Sequence, residues 1–382
     1  MRIQDLYDID ILIDNLSIFS AAGVTLVSAD IYEAINNPIP CCKLQLSVPI
    51  DWIDTRSIVD GTQIVFTVYC EQYNIDEVYV FRLYNITKME IEQNFASIQI
   101  DGIFDFHDGY RDANQYNGYY TTAEVVNNIA MDTGVESDID NTSDKQLWVA
   151  GENNVYQFLT YLSRYGWVDE TSALFWCFDR HGILLYKNLT KLFRTRQKKV
   201  WTFIQSLKPD PSKKEFGYSN VTAAILAGTN NLRNEGYGGE DFYFDTQEYA
   251  WKAFASRKVV AESNLINISK DLSQGLSDAW YPFDIGNFHK NYYTAFKQNR
   301  RILSTYSSYV TVESQFFQPY RLGQIVSFNY SDSNDIGNRL TALSGMFIID
   351  AIHISITTDA ISSTAELVMQ GLNGQSLTQD VY

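Results

Sequence analysis

The chain has 382 residues, a formal net charge of −17 and 45% hydrophobic residues. That length carries two to four domains. The acid excess excludes tight binding to nucleic-acid phosphates, which needs clustered Lys and Arg, and excludes attraction to an anionic membrane. An acidic surface instead suits a wall that repels DNA, with plain solubility as the simpler account. The 26 Tyr and 22 Phe against 7 Pro favour strands and interfaces. Cys41, Cys42, Cys70 and Cys177 show no C-x-x-C spacing, so they read as reduced, packed thiols made in a cytosol. The acidic start, Met1-Arg-Ile-Gln-Asp-Leu-Tyr-Asp-Ile-Asp10, does not read as a signal peptide. Without one, sequons such as Asn85-Ile-Thr87 and Asn188-Leu-Thr190 carry no meaning. No apolar run reaches the roughly 18 residues that span a membrane, so no stable membrane insertion is expected.

Residues 1–105 read as strands. Cys42, Leu44, Leu46 and Val48 alternate with polar residues, as do Ile64, Phe66, Val68 and Cys70, which is the period of a half-buried strand. Val78–Tyr84, Met89–Ile91 and Ser97–Ile103 follow, with a turn at Asp60-Gly61, and together they predict a barrel or sandwich. After Phe106 the pattern changes. Thr121 and Glu124 form a capping box, followed by Val125, Val126, Ile129 and Ala130 and a stop at Gly134. Trp148 lies on a short extended segment. Asn154 and Gln157 form a second box, and Val155, Phe158, Leu159 and Leu162 make one apolar helical face ending at Gly166. Ala173–Phe178 and Ile183–Tyr186 flank a hairpin turn, Asp179-Arg-His-Gly182. Residues 106–199 therefore read as a small inserted α+β domain, whose deletion should leave the flanking β units folded. Lys191, Arg194, Arg196, Lys198 and Lys199 form a basic stretch, read as a solvated loop. Residues 200–230 read as extended and are expected to rejoin the first β unit. Residues 229–245 read as a loop or exposed connection, and 231–299 as a connecting region, partly helical. A helix over 284–302 carries Phe288, Tyr292 and Phe296. Strands dominate 300–372, and 373–382 is a polar tail.

The two β units echo each other. Gly61-Thr-Gln-Ile-Val-Phe66 matches Gly323-Gln-Ile-Val-Ser-Phe328, and Ala96–Ile103 matches Ala365–Leu372 without a gap. Each pair encloses an apolar strand, Val78–Tyr84 in one copy and Met346–Ile352 in the other. Apolar strands of similar length can look alike by chance. A true repeat would give six units when three chains close into a ring. The expected ring-forming strand positions are Gly61, Ile64, Phe66, Ile98, Ile100, Gly323, Ile325, Phe328, Leu367 and Met369.

The order of pieces carries a resemblance. Helix Ala123–Met131, then Leu147-Trp148, then Asn154–Gly166, then a hairpin ending in Gly182-Ile-Leu-Leu-Tyr186, resembles the inserted domain of the phage late-control protein D and baseplate hub family. That family is related to the hub part of type VI secretion spike proteins. Tyr320–Val326, Gly345–His353 and Thr364–Gly371 are similar to the family's final barrel, and the likeness spans roughly residues 40–372. The resemblance implies two tail-tube-like barrels per chain and a homotrimer forming a pseudo-sixfold ring in the virion baseplate, assembled in the host cytoplasm. It implies one face on the hexameric tail tube and the other on a central spike protein, with wedge and tape-measure proteins nearby and DNA passing through the lumen. Some members continue into a fused spike or lysozyme. This chain ends about ten residues after the second barrel, so a separate spike is expected.

Chemistry is sparse. Asp101, Asp105, His107, Asp108 and Asp112 could hold a divalent ion, but Asp beside Gly102 and Gly109 also makes turns; no metal is assigned. His181 falls in a turn and is expected in solvent. His353 falls in an apolar strand and His289 on the expected helix. No G-x-S-x-G, H-E-x-x-H or P-loop occurs. The reading is a structural protein with no catalytic residue and no cofactor. The alternative is a receptor-recognition tail protein that binds or cleaves glycans through exposed Tyr, Trp and carboxylates.

Overall fold

The computed structural model describes residues 2–3, 6–52, 58–92, 94–169, 172–194, 200–206, 211–225, 241–245, 249–254, 279–281, 308–328 and 344–369. The first unit contains β1 (Tyr7–Ile13), β2 (Thr25–Ala34), β3 (Asn37–Pro49), β4 (Gln63–Cys70), β5 (Ile75–Glu92) and β6 (Phe95–Phe104). They pair in the order β1-β4-β5-β6-β3-β2. The alternation read from the sequence is realised: Ile64, Phe66, Val68, Leu44, Leu46, Ile98 and Ile100 are all buried. Val78–Tyr84 and Met89–Ile91 are not separate strands. Both lie in β5, which continues through register shifts between Leu83 and Asn85 and between Lys88 and Glu90. A bulge takes up one unpaired residue and lets pairing resume.

The insertion between the units holds α1 (Thr122–Thr133), α2 (Val155–Tyr165), β7 (Leu174–Phe178) and β8 (Leu184–Asn188). Both capping boxes form, and Gly134 ends α1 with φ 68°. Buried Asp144 accepts from the backbone N of Thr122 at 2.9 Å and of Trp167 at 2.7 Å. It thereby ties the start of α1, where backbone donors lack partners, to the end of α2. The β7–β8 hairpin is buried on both faces. Leu174, Trp176, Phe178, Leu184 and Tyr186 pack with the helices. Phe175, Cys177 and Leu185 join the core of the flanking sheet units. The insertion therefore shares a core with the units it interrupts.

The second unit contains β9 (Trp201–Ile204), β10 (Glu215–Gly217), β11 (Asn220–Ile225), β12 (Ser308–Ser314), β13 (Ile325–Phe328), β14 (Gly345–Ile356) and β15 (Ile361–Met369). Its order is β10-β9-β13-β14-β15-β12-β11. Among the described residues of 200–230 the expected return to the first unit does not occur: β9 pairs β13, and β11 pairs β12. Extended segments carry no address in their own sequence, and tertiary pairing assigned these to the nearer unit. Asp241–Asp245, expected as loop, is a strand paired with Ala250–Phe254 and Ala279–Tyr281. The expected helix over 284–302 and the tail 373–382 lie outside the described residues. One 15-stranded sheet runs through both units.

Candidate functional site: the joint between the two sheet units

The two units share a five-strand plan, including one glycine turn and one bulge. Gly61 and Gly323 open β4 and β13 with φ 81° and 71°, a left-handed conformation that glycine adopts without steric cost. The Gly61 N donates to Leu83 O at 2.8 Å, and Leu83 N returns to Thr62 O at 2.9 Å. The Gly323 N donates to Ile349 O at 2.9 Å, and Ile349 N returns to Gln324 O at 3.0 Å. Immediately afterwards each unit has a bulge, at Leu83/Asn85 in β5 and at Ile349/Ala351 in β14. Thus β4 corresponds to β13, β5 to β14, β6 to β15, β3 to β12 and β2 to β11. This equivalence corrects the second sequence echo. Leu83 faces Gly102 and Ile349 faces Leu367, so Gly102 corresponds to Leu367, four residues before Gly371. An even slip keeps every side chain on its face, which is why the ungapped match looked sound.

The units meet edge to edge. On one edge β14 carries β15. On the other, β13 occupies Gly345–Ile348 and β2 occupies Ala351–Ile356. Ala34 lies opposite Ala351, Ile31 opposite Ile354 and Ala29 opposite Ile356, and Ile35 N donates to Asp350 O at 2.8 Å.

A buried clasp locks this joint. Arg180, in the hairpin turn of the insertion, forms an ion pair with Glu33 of β2, with both side chains 1% exposed. Its backbone N donates to the other Glu33 oxygen at 2.5 Å, and its Nη2 donates to Tyr320 O of the second unit at 2.7 Å. Its guanidinium also lies 5.5 Å from the Tyr79 ring centroid. Burial raises the Glu33 pKa, and Arg180 pulls it back without cancelling the rise. Burial alone would lower the Arg180 pKa, yet the Glu33 charge holds it above its ordinary value. One side chain thus touches the insertion and both units.

No family profile matches the sequence, and no curated protein matches it. Solved structures do. A tail protein from Neisseria meningitidis MC58 aligns with a TM-score of 0.58 and 9% identity, over 97% of this chain and 99% of that one. A 43 kDa tail protein of prophage MuSo2 from Shewanella oneidensis aligns with a TM-score of 0.59 and 9% identity, over 95% of this chain and 98% of that one. This chain has the fold of these tail proteins. At such identity the likeness is one of fold, and it agrees with the β-rich architecture expected from the order of elements.

Within this tail-protein fold, the ten expected ring positions mark the cores rather than the joint. Ile64, Phe66, Ile98, Ile100, Ile325, Phe328, Leu367 and Met369 are buried, and Gly61 and Gly323 are turns. Sequence reading missed β2, Glu33 and Arg180. The acidic candidates go to separate partners: Asp101 to Asn85 and Gln99, Asp105 to Arg82, Asp108 to Arg111, and Asp112 to the Asn114 backbone. No group of three or more His, Cys, Asp or Glu suited to a metal occurs among the described residues. His181 is not in open solvent. It packs on Tyr79 with centroids 5.4 Å apart and lies 3.3 Å from Glu77. Burial, then the charges of Arg180 and Arg321, push its pKa down to about 4. His353 sits at the joint, 3.0 Å from Asp30. Lys191, expected in a solvated loop, lies on a short helix, Leu189–Arg194, and bonds Asp140 at 2.6 Å. Arg196, Lys198, Lys199 and His289 lie outside the described residues. Among the described residues no helix is long and apolar enough to cross a membrane.

Proposed function

We propose that this chain is the structural hub subunit of a phage tail baseplate. Three copies close into a ring of six sheet units, one face on the hexameric tail tube and the other on a central spike protein. Wedge and tape-measure proteins adjoin it, and DNA passes through the lumen. The observation that carries this reading is the duplicated five-strand plan, with a matching glycine turn and bulge, inside one chain. Two equivalent units per chain let threefold symmetry present six similar positions. The fold shared with tail proteins supports a tail role, and the net charge of −17 suits a path that DNA must slide through. The work is done by interfaces, with no catalytic step.

Electron microscopy of the purified protein, and of tails labelled on this chain, tests the reading. The expected result is a threefold ring with six similar lobes at the distal end of the tube. A monomer, with label on peripheral fibres, would move the chain to receptor recognition.

A further inference from the structure

The joint inside the chain leaves two matching halves unused. In the first unit, β5 beyond its bulge corresponds to the part of β14 that receives β2. From Asn85 onward this stretch pairs only with β6 among the described strands. In the second unit β11 corresponds to β2, and among the described strands it pairs only with β12. Among the described residues there is therefore one completed joint, plus one free donor strand and one free acceptor edge of the same type. Exposure shows the difference. Asp350, at the filled bulge, is 4% exposed, whereas Tyr84, at the equivalent unfilled bulge, is 53% exposed. Thr222 and Ala223 on β11 are likewise exposed. Unpaired strand edges are templates for another strand.

We propose that copies of this chain join head to tail by β-augmentation, β11 of one copy adding antiparallel to Asn85–Lys88 of the next. This rests on the ring reading and supplies its contact. The internal joint sets the register. Ile31 faces Cys42, Cys42 faces Gly102, and Ile31 faces Ile354. In the second unit Ala223 faces Val310, which faces Leu367. Ala223 therefore corresponds to Ile31, and Lys88 corresponds to Ile354. The new joint then sets Ala223 opposite Lys88 and Ala224 opposite Thr87. Because Ile35 N bonds Asp350 O, Tyr32 and His353 are a non-hydrogen-bonded pair, and so are their equivalents Ala224 and Thr87. Such pairs have Cα atoms about 4.5 Å apart, within disulfide reach. The contact is heterologous, so copies close into a ring where the rotation between them closes, as the proposed hub requires, and otherwise extend into a filament.

The test uses the full chain, both purified and in assembled tails. Ala224→Cys with Thr87→Cys in one chain should give, on mild oxidation, covalent dimers and a covalent closed trimer. Either single variant alone should give neither, and a mixture of the two singles should stop at dimers. Ala223→Pro removes an outward N–H from the edge strand, so it should abolish assembly while thermal unfolding stays near wild type. A threefold ring seen by microscopy, with no covalent product from the double variant, would overturn this joint and leave the ring standing. A chain that remains monomeric both alone and in tails overturns both.

Discussion

Arg180→Met tests the clasp most directly. Met keeps the aliphatic volume but removes the guanidinium that pairs Glu33 and caps the Tyr320 carbonyl. The Glu33 carboxyl stays 1% exposed with only a backbone donor. Breaking one side of a buried ion pair costs about 3–5 kcal/mol, and the orphaned Tyr320 carbonyl adds about 1 kcal/mol. The loss should depend on pH. Glu33 already has a raised pKa when folded, and without Arg180 the rise should grow. A carboxyl with a folded pKa above its unfolded value binds protons more readily when folded. Its contribution is present below the unfolded pKa and is lost as pH rises through the folded pKa. The variant should therefore be closest to wild type at acidic pH and fall further behind towards pH 8. Replacing both partners, Glu33→Gln with Arg180→Met, should recover most of the loss, because no buried charge remains. Urea unfolding at both pH values, followed by tryptophan fluorescence, measures this. A single variant within about 1 kcal/mol of wild type at pH 8 refutes the clasp, as does a double variant no more stable than the single.

Two further outcomes follow from the shared core. Deleting residues 106–199 removes Phe175, Cys177 and Leu185 from the core of the sheet units and leaves Glu33 without Arg180. The structure thus reverses the expectation that the units survive: the deleted protein should aggregate and bind ANS, and a soluble, cooperatively unfolding product would show that the shared core does not matter. Gly102→Ala should cost about 1–3 kcal/mol by overpacking, because its Cβ would lie 2.7 Å from the Cys42 sulfur and 3.1 Å from Ile64. Gly61→Ala meets open space and strains only φ, so it should cost about 1 kcal/mol. Thermal unfolding of the pair ranks them, and equal losses would contradict the packing argument.

Local rules were legible and distant pairing was not. The capping boxes at Thr121 and Asn154 and the left-handed stop at Gly134 follow from residues within one turn of each other, and all three form. The internal repeat was visible because apolar alternation and a turn glycine survive in both copies. Its second half slipped by four residues because alternation has period two and says nothing about which residue carries the bulge. Arg180 read as a turn residue because a turn is what it occupies. Its partners, Glu33 and Tyr320, lie 147 and 140 residues away, and nothing local announces them. The edges were least legible of all. A free strand edge is a property of the backbone and of which neighbour is missing, so β11 and the end of β5 look like any other strands in the sequence. Only the filled joint between β2 and β14 gives a pattern for what their counterparts, unpaired among the described strands, are proposed to receive. In the ring proposed above, one contact would recur six times, and each chain would carry one copy of it internally. The internal joint forms at no cost in translational freedom, and on this proposal it sets the angle that each joint between copies would reproduce for the ring to close.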